Sequence, residues 1–160
     1  MDRHEEAVMQ LLMANGETFV APRYELSAGW MCPSLVVLRP ARQEVWVVEV
    51  SASGYPLALV DKVNQRVERW YAPLLEQLQR LRVVQSNWQI GSLLVVRDDQ
   101  MEWLRQRIKD SSGVRIWSLE TASSPWLWHG VVWTEDMDFH SPQIPRKDAP
   151  AVPGAAPTTH

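Results

Sequence analysis

The sequence predicts an α/β domain, a central mixed sheet with flanking helices, and three observations carry that expectation. Two short β-type runs, Leu35 to Arg39 and Val45 to Ser51, lie close together across Pro40-Ala41-Arg42-Gln43. A helical stripe follows, in which Val60, Val63, Val67, Trp70, Leu74, Leu78 and Leu81 recur at intervals of three and four. Ile90 to Val96 then reads as a continuous apolar run, the pattern of a strand covered on both faces.

The elements can be justified in order. Asp2 to Asn15 places Ala7, Val8, Leu11 and Leu12 at helical spacing, with Glu5 and Glu6 in the first turn and Gly16 as a stop. Thr18 to Leu26 reads as a strand interrupted by Pro22, which suits an edge or an irregular start. The two runs around Pro40 form a hairpin-like pair. Leu57 to about Arg82 is helical. Pro73 removes a donor inside it, so a kink or two consecutive helices are expected there. After the covered strand come a surface helix, Gln100 to Ile108, and a further strand, Val114 to Leu119. Trp126 to Thr134 reads as a last, aromatic-rich strand. Beyond Asp138 the composition changes. Residues 139–160 carry Pro142, Pro145, Pro150, Pro153 and Pro157 among small residues, too little apolar surface to offset the entropy of ordering. The expected organisation is one domain over 1–138 and a Pro/Ala-rich tail over 139–160.

Bulk properties narrow the function classes. A chain of 160 residues with a net charge of −3 has no global basic field for holding nucleic acid, so any such contact must come from a local patch. The single cysteine, Cys32, excludes an internal disulfide and reads as a small buried hydrophobe. The first residues lack a basic-then-apolar secretory pattern, and no run approaches the roughly 20 apolar residues that span a bilayer. Cytoplasmic residence without membrane contact is the expectation. Nine tryptophans are many for this length. They either fill the core or, at Trp126, Trp128 and Trp133, build a face for a protein partner or a second copy of the chain.

The chemistry centres on Glu49. Alternation along the second run puts Glu49 on one face with Val45, Val47 and Ser51. A carboxylate among such neighbours must be paired, bound to a cation or set at an opening, because an isolated buried charge is too costly. One reading pairs it with Arg23 or Lys62, with Ser51 hydrogen-bonded nearby. His4, His129, His140 and His160 are scattered without ligand spacing, which argues against zinc. Ser51 and Ser53 lack a nucleophile elbow.

The order of helix, three-stranded meander, long helix, strand, helix and strand (αβββαβαβ) resembles the core of the PD-(D/E)xK, or restriction-endonuclease-like, superfamily over roughly Asp2 to Leu119. Pro33-Ser34 corresponds to the family's Pro-Asp, and Glu49-Val50-Ser51 to its Glu-x-Lys. Tyr24-Glu25-Leu26, ahead of Gly29, resembles the family's first strand. The resemblance implies Mg²⁺ or Mn²⁺ held by Glu49, Glu5 or Glu6, the Ser34 position and the Val50 carbonyl. The cation would activate a water for phosphodiester hydrolysis. It also implies catalytic roles at Glu49 and Ser51, with Lys62 as a migrated ammonium. Ser34 cannot supply an aspartate's charge, and Ser51 cannot supply a lysine's. One lost electrostatic partner typically costs on the order of 10²–10³ in rate, so two losses point to a non-catalytic domain that engages nucleic acid or a nucleic-acid-processing complex. An active nuclease with migrated residues and a scaffold subunit with no nucleic-acid role stay open. Lys62, Gln65, Arg66 and Arg69 fall at i, i+3, i+4 and i+7, on one expected exposed helical face. That row is the expected nucleic-acid contact, and the resemblance to the nucleases implies phosphate-backbone contacts at Gln65 and Tyr71, though at a spacing that departs from the family's.

Overall fold

The computed structural model describes residues 1–14, 17–26 and 32–125. Helix α1 (Arg3–Met13) opens with a capping box, in which the Asp2 carboxylate accepts from the amides of His4 and Glu5 while the Glu5 carboxylate accepts from the Asp2 amide. Strands β1 (Phe19–Pro22), β2 (Leu35–Arg39) and β3 (Glu44–Ser51) form an antiparallel meander. The turn between β2 and β3 is a short 3₁₀ segment over Pro40–Arg42, closed by Gln43 in the left-handed region with φ of 55°. From β3 the chain crosses over through α2 (Leu57–Asn64) and α3 (Ala72–Arg80) to β4 (Gln89–Val96), which lies parallel to β3. Helix α4 (Asp98–Arg105) leads to β5 (Val114–Ser118), parallel to β4, and the short α5 (Leu119–Ala122) follows. The five strands lie in sequence order in one mixed sheet. Its antiparallel half comes from short turns and its parallel half from helical crossovers.

Alternation along the strands sorts the two cores. Val45 and Val47 of β3, with Ile90, Leu94 and Val96 of β4, pack beneath α2, α3 and Leu104 of α4. Trp46 and Val48, with Leu93 and Val95, face α1 and α5 on the other side. Trp46 pairs across the sheet with Gly91, where a Cβ would stand 2.9 Å from the indole ring. Only glycine leaves room for that ring. Strand β4 is buried from Ile90 to Val96, as its apolar run predicts. Ser92, the one hydroxyl in it, shares a 2.7 Å hydrogen bond with the Tyr71 hydroxyl.

The long helical stripe is broken where Pro73 requires. Val67–Tyr71 forms a widened π turn, and α3 begins with Pro73 in its first turn. Proline offers no amide and its ring would strike the carbonyl four residues back. A wider turn immediately before it absorbs the clash. The first strand is shorter than its pattern predicts. It ends at Pro22, and Arg23 follows with φ of 48°, so Tyr24-Glu25-Leu26 lies beyond any strand. The expected strand at Trp126 to Thr134, the Trp126, Trp128 and Trp133 face, the tail at 139–160, Gly16 and Gly29 lie outside the described residues. Among the described residues no helix is long and apolar enough to cross a membrane.

Candidate functional site

Glu49 sits near the carboxyl end of β3 on the α2 side of the sheet, continuing the face of Val45 and Val47. Beyond those valines this face of β3 turns polar beside the buried Leu94 and Val96 of β4, and the carboxylate lines a cavity of about 400 Å³. Glu5 of α1, Arg23 and Glu25 after β1, Cys32, Pro33 and Ser34 before β2, and Lys62 of α2 complete the lining. The carboxyl ends of sheet strands are where open α/β folds generally bind ligands. Five chain segments meet there because the antiparallel β2 starts beside the end of β3.

Glu49 is 6 % exposed, and its Oε2 accepts from Lys62 Nζ at 3.1 Å. Its Oε1 is buried and takes no hydrogen bond among the described residues. Burial pushes the carboxyl above the 4.5 of an ordinary glutamate. The Lys62 ammonium and the Ser34 main chain pull it down, and the nearby Glu5 carboxylate adds to the rise. Desolvation outweighs pairing. The carboxylate carries the Lys62 ammonium on one oxygen, the Ser34 main chain close by, and a second oxygen enclosed away from solvent.

The other expected site residues divide. Glu5 and Ser34 join Glu49 and Lys62 in the cavity, whereas Glu6 is exposed and does not line it. Ser34 Oγ accepts from the Val50 amide at a long 3.4 Å. Ser51 does not line the cavity either, and its hydroxyl accepts from the Ser53 amide at 3.3 Å. These donors do not fit a divalent cation. Ser34 brings no charge, Lys62 occupies one Glu49 oxygen, and among the described residues no three His, Cys, Asp or Glu side chains are placed to hold a metal ion.

The basic row does not form one exposed face. Arg66 is 4 % exposed and turned inward. Its Nη1 donates to the Val63 carbonyl and its Nη2 to Asp110 and the Ser112 carbonyl, all at 3.1 Å. Tyr71 is fully buried against Ser92, which removes it as a phosphate contact. Gln65 stays exposed, while Lys62 and Arg69 are partly buried. Arg66 follows the last turn of α2, where the chain enters the π turn, so ideal helical spacing no longer reports its direction. The expectation for Cys32 is also corrected: its side chain is exposed at the cavity rim. Glu25, which the Tyr24-Glu25-Leu26 resemblance brings forward, joins the lining, whereas Cys32 carries no sequence signal as a lining residue beyond its place next to Pro33-Ser34.

No protein-family model, curated protein or solved structure matches this chain.

Proposed function

We propose that this chain is a degenerate PD-(D/E)xK-like domain that engages nucleic acid without hydrolysing it. The observation that supports the reading best is the Lys62 ammonium on Glu49 Oε2, inside a cavity at the carboxyl end of β3. In the resembled nucleases a carboxylate and an ammonium share this neighbourhood with a cation between carboxylates. Here the ammonium itself neutralises the acid, and a neutral hydroxyl stands where the second acid would be. The helix–meander–crossover order of the chain agrees with that ancestry. The exposed Arg23 guanidinium on the cavity rim offers a phosphate contact.

Fluorescence anisotropy with labelled single- and double-stranded DNA and RNA at two salt concentrations tests binding. Plasmid nicking with Mg²⁺ or Mn²⁺ tests catalysis. The reading expects salt-dependent binding to at least one polymer and no nicking. Absence of binding to all four would overturn it in favour of a protein-binding scaffold. Metal-dependent nicking that disappears in Glu49→Gln would overturn its non-catalytic half.

A further inference from the structure

The loop that leaves the carboxyl end of β3 holds an exposed aromatic ring in a fixed attitude. Ser51 Oγ accepts from the Ser53 amide, Ser53 Oγ accepts from the Tyr55 amide at 3.2 Å, and the Tyr55 carbonyl accepts from the Leu57 amide at 2.9 Å. Tyr55 nevertheless stays 60 % exposed, and its ring leans on Trp103 of α4 with centroids 4.8 Å apart and planes tilted by 55°. The Arg107 guanidinium lies 4.1 Å from the centre of the Trp103 ring and donates to the Trp103 carbonyl at 3.2 Å. Asn64 of α2 donates to the Arg107 carbonyl and accepts from the Lys109 amide, which fixes this basic segment beside the ring pair.

Charge complementarity says what such a surface takes. Arg107 and Lys109 are exposed and form no ion pair among the described residues. Asp99 and Asp110 are paired with Arg97 and Arg66, and Asp61 of α2 stays beyond ion-pair distance of both free cations. Resting on the nucleic-acid reading above, we infer that Tyr55 is a stacking platform for an unpaired base of single-stranded nucleic acid, with Arg107 and Lys109 meeting the flanking phosphates. A ring already seated on a second ring loses little freedom when a base stacks on it. Stacking requires an open base face, which the interior of a duplex does not offer, so the platform selects single strands without selecting sequence. The two cations add affinity that is independent of sequence and sensitive to salt.

The test is fluorescence anisotropy with labelled oligo-dT, an abasic strand of the same length and a duplex, each over a range of salt. Tyr55→Ser should weaken oligo-dT binding on the order of ten-fold. Tyr55→Phe should keep it, since the ring and not the hydroxyl stacks. The abasic strand, which retains the phosphates, should bind weakly and should not distinguish Tyr55→Ser from the unaltered protein. Arg107→Gln and Lys109→Gln should each lower the slope of log affinity against log salt by roughly 0.7. Urea unfolding of Tyr55→Ser separates lost stacking from lost fold. Oligo-dT binding indifferent to Tyr55→Ser, or a duplex bound as tightly as the single strand, would overturn the platform while leaving the nucleic-acid reading intact. No binding to any strand would remove both. Self-association of the chain that disappears in Tyr55→Ser would assign the patch to a second copy instead and overturn the inference.

Discussion

Lys62 reaches back from α2 to place its ammonium 3.1 Å from Glu49 Oε2, so the one acid within the β3 face is neutralised by the helix that follows it. The pair is asymmetric. The Glu49 side chain is 8 % exposed and that of Lys62 is 20 % exposed, which makes the carboxylate the partner that depends on the contact.

Lys62→Met is therefore expected to destabilise the fold by about 1–3 kcal/mol, below the range for a fully buried pair because Lys62 keeps partial access to water. The loss comes from leaving Glu49 charged and buried without compensation. Combining Lys62→Met with Glu49→Gln should recover most of it. A double-mutant cycle by urea unfolding measures the coupling, and additive single losses would contradict this account.

The raised Glu49 pKa gives the stability a pH dependence of definite sign. Between 4.5 and the higher folded value, the folded chain holds a proton that the unfolded chain has released. Stability contributed by this group therefore falls as pH rises through that window. Asp110 acts oppositely. Hydrogen bonds from Ser112, and then the Arg66 guanidinium, hold its carboxyl below the usual range, so its contribution is lost as pH falls. Subtracting the profile of Glu49→Gln from that of the unaltered protein cancels Asp110 and isolates Glu49. Unfolding free energies from pH 4 to 8 should give a difference that declines with pH. A flat or rising difference would count against the burial-dominated carboxyl.

Much of this architecture is legible in the sequence because it follows from local periodicity. Alternation in β3 singles out Glu49 as an acid on an apolar face. The run at Ile90 to Val96 announces a covered strand, and Pro73 marks the break between α2 and α3. Lys62 also lies within a helix turn or two of the β3 end, so its reach towards Glu49 can be anticipated. Arg66 could not be read in the same way. Its partners, Asp110 and Ser112, arrive from a loop 44 and 46 residues later, and no spacing inside the helix reports them. Ser92 and Tyr71 are similar: each looks like an ordinary member of its element until the crossover brings the two hydroxyls together.

That inward turn of Arg66 makes a prediction opposite to the one for an exposed phosphate contact. Arg66→Ala should cost about 2–3 kcal/mol, because the Val63 and Ser112 carbonyls lose a charged donor and the aliphatic stem leaves a gap. The slope of nucleic-acid affinity against salt should be unchanged, measured where the variant is folded. Arg66→Lys should not restore stability, since one ammonium cannot serve three acceptors in the planar geometry of a guanidinium. A reduced salt slope with unaltered stability would mean that the side chain faces solvent after all.

Gly91→Ala tests how tightly the α1 side of the sheet is filled. A glycine in a central strand ordinarily costs roughly 0.5–1 kcal/mol against alanine, so the substitution would stabilise β4 if space allowed. Space does not allow it. The new Cβ would meet Trp46 Cζ3 at 2.9 Å and the Gly113 carbonyl at 3.0 Å, and Trp46 is fully buried with its indole nitrogen donating to Glu44. Neither neighbour can retreat cheaply, so overpacking should win by about 1–3 kcal/mol. Trp46→Phe removes the six-membered half of the indole, which carries Cζ3. The cost of Gly91→Ala should therefore shrink in that background without vanishing, because the Gly113 carbonyl stays in place. Urea unfolding of both singles and the double measures this coupling. A Gly91→Ala protein as stable as the parent, or equal costs in the two backgrounds, would show that the indole does not close on β4 in the way these contacts require.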